Sequence, residues 1–199
     1  MREPAIALTD ADIRPAFRLR LLAEHTRELD TVVIEELGLC RGQVRVDLAV
    51  VNGLLHGYEI KSDRDSLRRL SGQADLYSRV LDRATLVVGS RHLTEALDVV
   101  PAWWGVVQFQ PTAKAPRFKV VRRASKNQQR QPRYLVELLW LDSAMALLNQ
   151  RDAATGVRGK PRRLVWDRIC ERFDLDEIAA AVRAQLKARS ATPIPQPPS

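Results

Sequence analysis

The sequence predicts a mixed α/β fold: a sheet flanked by helices, followed by a C-terminal helical extension. Three observations carry this. Val44 to Val51 alternates, with Val44, Val46, Leu48 and Val50 set against Arg45, Asp47 and Ala49, as a strand requires. Asn52-Gly53 is a strong hairpin signal, and Leu54 to Lys61 can return beside the first strand. Beyond Ser62, apolar stripes at helical spacing alternate with short β-branched runs, the order expected of a sheet with helices on its faces.

Taken in order, Thr9-Asp10-Ala11-Asp12 resembles a helix N-cap, and Pro15 suits a first turn. A helix over residues 10–28 aligns Ile13, Phe17 and Leu21. At 100° per residue, Glu24 falls about 20° from Ile13, with Glu28 close by. Such a carboxylate either marks the helix end emerging into solvent or is aimed at a site beside the sheet. Thr31 to Ile34 is a β-branched strand run, and Gly38 to Gly42 reads as a turn. Ser62-Asp63 can cap a helix reaching Asp82, with Leu67, Leu70, Ala74, Tyr77 and Leu81 as its buried stripe. Thr85 to Gly89 is a buried strand, residues 93–99 a helix, and Trp104 to Phe109 a further strand. The predicted organisation is a core over residues 1–112, a basic loop or strand region over 113–133, a helical extension over 134–190 and a disordered proline-rich tail over 191–199.

With 199 residues and 45% hydrophobic composition, the chain can bury one α/β domain with added helices. No apolar run approaches the ~20 residues that cross a bilayer, and the N-terminus lacks a signal-peptide core. The expected location is cytoplasmic, with no membrane partner. Cys40 and Cys170 lack metal-ligand spacing and read as reduced thiols. His25, His56 and His92 show no ligand spacing either and read as packing or surface residues. Trp103, Trp104 and Trp140 read as core. Thirty-two Lys and Arg against 24 Asp and Glu give a net charge of +8 and a pI near 10.1, a balance that favours a polyanionic partner.

Chemistry concentrates in VRVDLAVVNGLLHGYEIKSD. The hairpin sets Asp47 on one strand and Glu59 and Lys61 on its neighbour, in a register that can turn all three to one face. Two carboxylates so placed, with the carbonyl of Ile60 between them, make a hard-oxygen site suited to Mg²⁺ or Mn²⁺. A metal there would polarise a phosphodiester and supply a nucleophilic water. Lys61 would position or deprotonate that water, or stabilise charge on the phosphate. An isolated E-x-K is weak evidence; an acid, a hairpin turn and E-x-K correctly spaced on two strands are a rarer combination. Gly57 would leave room for a phosphate backbone. The alternative is an ordinary solvated strand face.

These residues resemble the PD-(D/E)XK, or restriction-endonuclease-like, nuclease superfamily: Asp47 stands for the strand aspartate and Glu59-Ile60-Lys61 for the E-x-K, with Val46 where the family often has proline. Gln73-Ala74-Asp75-Leu76-Tyr77 is similar to the Q-x-x-x-Y motif of the RecB-like branch. That likeness implies that Gln73 and Tyr77 order the site and contact DNA; core packing is the other reading for Tyr77. The resemblance further implies one more acid, for which Glu24 and Glu36 are the candidates. IEELGL and GYEIKSDRD look like a poorly characterised bacterial family within the superfamily.

Arg45 would hold a phosphate or pair with Asp47. Arg64, Arg68 and Arg69 either track a nucleic-acid backbone or form a solvated face. Lys114 to Arg133 holds eight Lys or Arg and no acid, and Gly156 to Arg163 is a basic loop before a helix. Both read as nucleic-acid contacts, with neutral surface loops as the alternative. The sequence therefore predicts a metal-dependent endo- or exonuclease hydrolysing DNA, acting alone, as a homodimer or with a partner protein. Its rivals are a catalytically idle DNA-binding or assembly subunit of the same fold and an RNA-directed nuclease.

Overall fold

The computed structural model describes residues 9–112 and 115–191. The readings placed on residues 1–8, on Lys114 and on the tail from 192 lie outside the described residues. Six strands form one sheet in sequence order: β1 (Val32–Leu39), β2 (Val44–Val51), β3 (Leu55–Lys61), β4 (Arg83–Val88), β5 (Gly105–Gln110) and β6 (Arg117–Arg122). β1–β2–β3 are antiparallel, β3–β4–β5 parallel and β5–β6 antiparallel. The parallel steps follow from the helices between them, α2 (Leu70–Ser78) and α3 (Leu93–Val99), because a parallel return needs a crossover.

One face is covered by α1 (Asp10–Glu24). Its stripe of Ile13, Phe17 and Leu21 packs on Leu48, Val50, Tyr58, Ile60, Val87, Val107 and Phe109. Asp12 caps the helix, its carboxylate accepting from the Thr9 amide at 2.8 Å and hydroxyl at 2.6 Å. Pro15 lies in the second turn rather than the first; the Ala11 carbonyl it leaves unbonded belongs to an exposed residue that water can reach. The opposite face carries the larger core, built from α2, Trp104 and the C-terminal helices α4 (Pro132–Leu135), α5 (Leu141–Asn149), α6 (Arg162–Arg172) and α7 (Leu175–Ala191).

Several boundaries differ from those the sequence predicts. α1 stops at Glu24, and α2 starts only at Leu70, after a 3₁₀ turn over Leu67–Arg69. Ser62 does not cap α2: its amide and hydroxyl bond to the Asp65 carboxylate instead, and Ser66 accepts from Arg68 N. The predicted stripe nevertheless holds, with Leu67, Leu70, Ala74, Tyr77 and Leu81 all buried. β1 runs through Gly38, where a turn was expected; the turn falls instead at Cys40–Gly42. The hairpin closes through the Asn52 side chain, which accepts from Leu54 N at 3.0 Å.

The alternation predicted for β2 breaks at its centre. Val44 and Val46 pack in the same core as Ala49 and Val51, whereas Leu48 and Val50 face α1. Pairing with β1 is continuous from Glu35↔Leu48 outwards and from Leu37↔Val46 outwards, but skips Glu36 and Asp47. Glu36 sits at φ 55°, left-handed for a non-glycine residue. Both strands thus change faces together at this pair.

The basic stretch before α4 is in part a structural strap. Asn127 is buried, donating to Ser78 O and Leu81 O. Arg122 caps carbonyls of Trp104 and Pro101. Arg130 pairs with buried Asp82 at 2.5 Å, while Asp82 also accepts from Leu55 N. Arg117, Lys119, Arg123 and Lys126 remain exposed. Trp104 is fully buried, but Trp140, expected in the core, is 53% exposed with Arg189 over its ring. α7 begins as the sequence implies: Asp174 accepts from the amides of Asp176 and Glu177, and Glu177 accepts from Asp174 N.

Candidate functional site

The site forms where β2 and β3 cease to pair. Their ladder runs from Val51↔Leu55 to Leu48↔Tyr58, and the next facing residues would be Asp47 and Glu59. There the Asp47 carboxylate takes the place of a ladder bond, its Oδ2 accepting from Ile60 N at 2.7 Å. Glu59 and Lys61 turn toward α2, while Tyr58 and Ile60, between and beside them, pack toward α1.

Glu59 is 2% exposed, and a carboxylate so buried must be fully bonded. Lys61 Nζ lies 2.6 Å from its Oε1, Gln73 Nε2 donates to the same oxygen at 2.7 Å, and the Tyr77 hydroxyl donates to Oε2 at 2.5 Å. Gln73 and Tyr77, one turn apart on α2, therefore grip one carboxylate together. Tyr77 also lies 2.9 Å from Arg45 O and stacks on Trp104 with centroids 5.5 Å apart, so packing and site-ordering are joined in one side chain. Burial, then the charge of Glu59, holds its phenol above the ordinary range.

Asp47 is pushed the same way. Burial first, and then the neighbouring charge of Glu59, push its carboxyl up to about 6, against the Ile60 amide and the Arg14 and Lys61 cations that favour the charged form. Arg14, which sequence reasoning missed, reaches in from α1: Nη2 donates to Asp47 Oδ1 at 2.7 Å and Nε to Asp10 at 2.9 Å, while Nη1 donates to Glu36. Burial alone would lower the Arg14 guanidinium, but Asp10, Asp47 and Glu36 hold it above its ordinary value. The available signal was its place one residue after the buried Ile13 on α1.

Of the two candidates for a further acid, Glu36 is brought to Asp47 through Arg14. Glu24 is not: it pairs with Arg20 at 2.6 Å beside a cavity under α1. Arg45 pairs with Glu36 at 2.6 Å rather than with Asp47, and its side chain is 67% exposed. Arg64, Arg68 and Arg69 are exposed at the entrance to α2. Gly57 gives no room to a ligand: a Cβ there would lie 2.5 Å from Leu81 Cδ1 and 3.1 Å from Val46 Cγ1, so the space belongs to the core.

Among the described residues no group of three or more His, Cys, Asp or Glu side chains gathers as a metal cage. The donors the sequence offers for a metal, Asp47, Glu59 and the Ile60 carbonyl, are all hard oxygens. Gln73 Oε1, on the side chain that donates to Glu59, is a buried acceptor with no hydrogen-bond partner among the described residues. Two mutually repelling carboxylates and an open acceptor fit an oxygen-preferring divalent cation that keeps some of its own waters.

Comparison with known proteins gives the relatives. Protein cII of Enterobacteria phage P4 is 36% identical over 94 residues, which cover 47% of this chain and 36% of that protein. The matched stretch thus spans about a third of the relative's length. Among solved structures, SfsA of Pyrococcus furiosus in complex with Ca²⁺ aligns with a TM-score of 0.33 and 14% identity, over 60% of this chain and 66% of that one. The sequence model of the family described as Bacteriophage P4 protein cII matches residues 16–192. The chain belongs to the bacteriophage P4 protein cII family.

Proposed function

We propose that the protein is a metal-dependent nuclease of the restriction-endonuclease-like fold, hydrolysing phosphodiester bonds of DNA. What carries the reading is one observation: Asp47 and Glu59 meet at the point where two strands part, with Lys61 on Glu59 and the Gln73–Tyr77 pair locking that carboxylate. Asp47, Glu59 and the Ile60 carbonyl would hold Mg²⁺ or Mn²⁺, which supplies Lewis acidity and a water of lowered pKa. Tyr77 and Gln73 fix the Glu59 rotamer, which is what a site of defined geometry needs from its surroundings. Lys61, at 10% side-chain exposure, offers a desolvated ammonium to a phosphate oxygen or to the attacking water. Arg14, held against Asp47 in this structure, is the cation on hand beside these carboxylates for a substrate phosphate. The exposed Arg45, Arg64, Arg68 and Arg69 neutralise flanking phosphates.

The test is Lys61→Ala on single- and double-stranded DNA and on RNA. The reading expects cleavage to fall at least a hundredfold with DNA affinity changed less than threefold. Equal behaviour of variant and wild type would replace it with an idle DNA-binding or assembly subunit, and cutting confined to RNA with an RNA-directed nuclease.

A further inference from the structure

On the other side of the sheet from Glu59, a cavity of about 250 Å³ opens between α1, the starts of β3 and β4, and the end of β6. Its charge is one-sided. Arg20, Arg83, Arg122 and Arg123 line it against a single acid, Glu24, and Glu24 is committed to Arg20. Arg122 is anchored on backbone carbonyls. Arg83 is different: its side chain has no ion pair or hydrogen bond among the described residues, and its Nε is buried without a partner. Leaving a guanidinium donor desolvated and unmatched costs stability.

The remaining walls define what would fit. Tyr58 and Phe17 present an aromatic surface, their ring centroids 5.2 Å apart, and His56 stacks on Tyr58 at 4.3 Å. His56 bonds Thr85 Oγ1 at 2.8 Å. Burial first, then Arg83, push the imidazole down to about 3, so it is neutral at physiological pH and adds no charge. The cavity thus joins an unmatched cation, hydroxyl groups and an aromatic wall in a space slightly below the ~300 Å³ of small-ligand pockets.

We infer that this cavity binds a phosphate monoester of mononucleotide size, with Arg83 as its principal anchor and Arg123 as a supporting cation, Arg20 being held by Glu24 and Phe118 O. A phosphate dianion matches planar guanidinium donors better than a carboxylate does, and the aromatic wall accommodates the sugar or base. The inference is independent of the nuclease reading. It is tested by calorimetry in EDTA on the full chain with inorganic phosphate, deoxyadenosine 5′-monophosphate, and an oligonucleotide carrying either a 5′-phosphate or a 5′-hydroxyl. Binding of the free nucleotide, weakened at least tenfold by Arg83→Gln and severalfold by the exposed-site Arg123→Gln, assigns a mobile ligand. A preference for the 5′-phosphorylated strand, abolished by the same variants, assigns a DNA terminus. Absence of millimolar binding to every probe, or binding unchanged in both variants, overturns the proposal.

Discussion

Replacing Tyr77 with phenylalanine removes one oxygen and leaves the ring's stacking on Trp104 in place. That oxygen donates to Glu59, which is 2% exposed, and lies within bonding distance of Arg45 O. A hydrogen bond to a charged group contributes about 1.5–3 kcal/mol, and a buried acceptor left short adds its desolvation cost. Lys61 and Gln73 still hold Oε1, so Oε2 alone is stripped. The loss expected for Tyr77→Phe is therefore about 2–3 kcal/mol. With a urea m-value of roughly 2 kcal/mol per molar, the unfolding midpoint falls by about 1–1.5 M at unchanged m. Equilibrium unfolding followed by tryptophan fluorescence and by circular dichroism reads this directly. A midpoint within 0.2 M of wild type would refute the claim that the hydroxyl sustains the buried carboxylate.

Four further outcomes follow from the same contacts. Because the folded pKa of Asp47 is raised to about 6, its contribution to stability is fully present below the unfolded value near 4 and is lost as pH rises through 6; Asp47→Asn should flatten the fall in urea midpoint between pH 4.5 and 7.5, and parallel curves would contradict this. Asp82→Ala strips Arg130, Arg183 and the Leu55 amide of a shared buried partner and should cost about 3–5 kcal/mol, read as a drop in thermal midpoint. Gly57→Ala drives a methyl into Leu81 and should cost about 1–3 kcal/mol; a neutral effect by denaturant titration would show that Leu81 can move aside. Arg14→Gln removes the cation that competes for Asp47, so Mn²⁺ titrated by electron paramagnetic resonance should bind several times more tightly, and weaker binding would mean that Arg14 instead supports the site.

The sheet was legible in the sequence wherever one periodicity governed a segment. β3 follows its pattern because one unbroken alternation runs through it, Tyr58 and Ile60 toward α1 against Glu59 and Lys61 toward α2, and the α2 stripe because it buries one face. Asp47, Glu59, Lys61, Gln73 and Tyr77 were legible as a set because a hairpin and one helix carry all of them. The change of face at Glu36 and Asp47 was not, since the apolar spacing of β2 is compatible with an unbroken strand and burial on both sides erases the polar signal. Arg14 was hidden for another reason: its partners Glu36 and Asp47 are 22 and 33 residues away, and no local pattern encodes such a contact. Composition alone also overstated the basic stretch, because Arg122 and Arg130 bind the fold's own carbonyls and Asp82.

The central claim is most directly tested by cleavage of end-labelled single- and double-stranded DNA in Mg²⁺, Mn²⁺ or EDTA, comparing wild type with Asp47→Asn. The account predicts cutting that requires the metal, vanishes in EDTA and falls at least a hundredfold in a variant that remains folded. Cutting that survives both EDTA and Asp47→Asn, or no cutting of any DNA by a wild-type protein that binds it, would contradict the account.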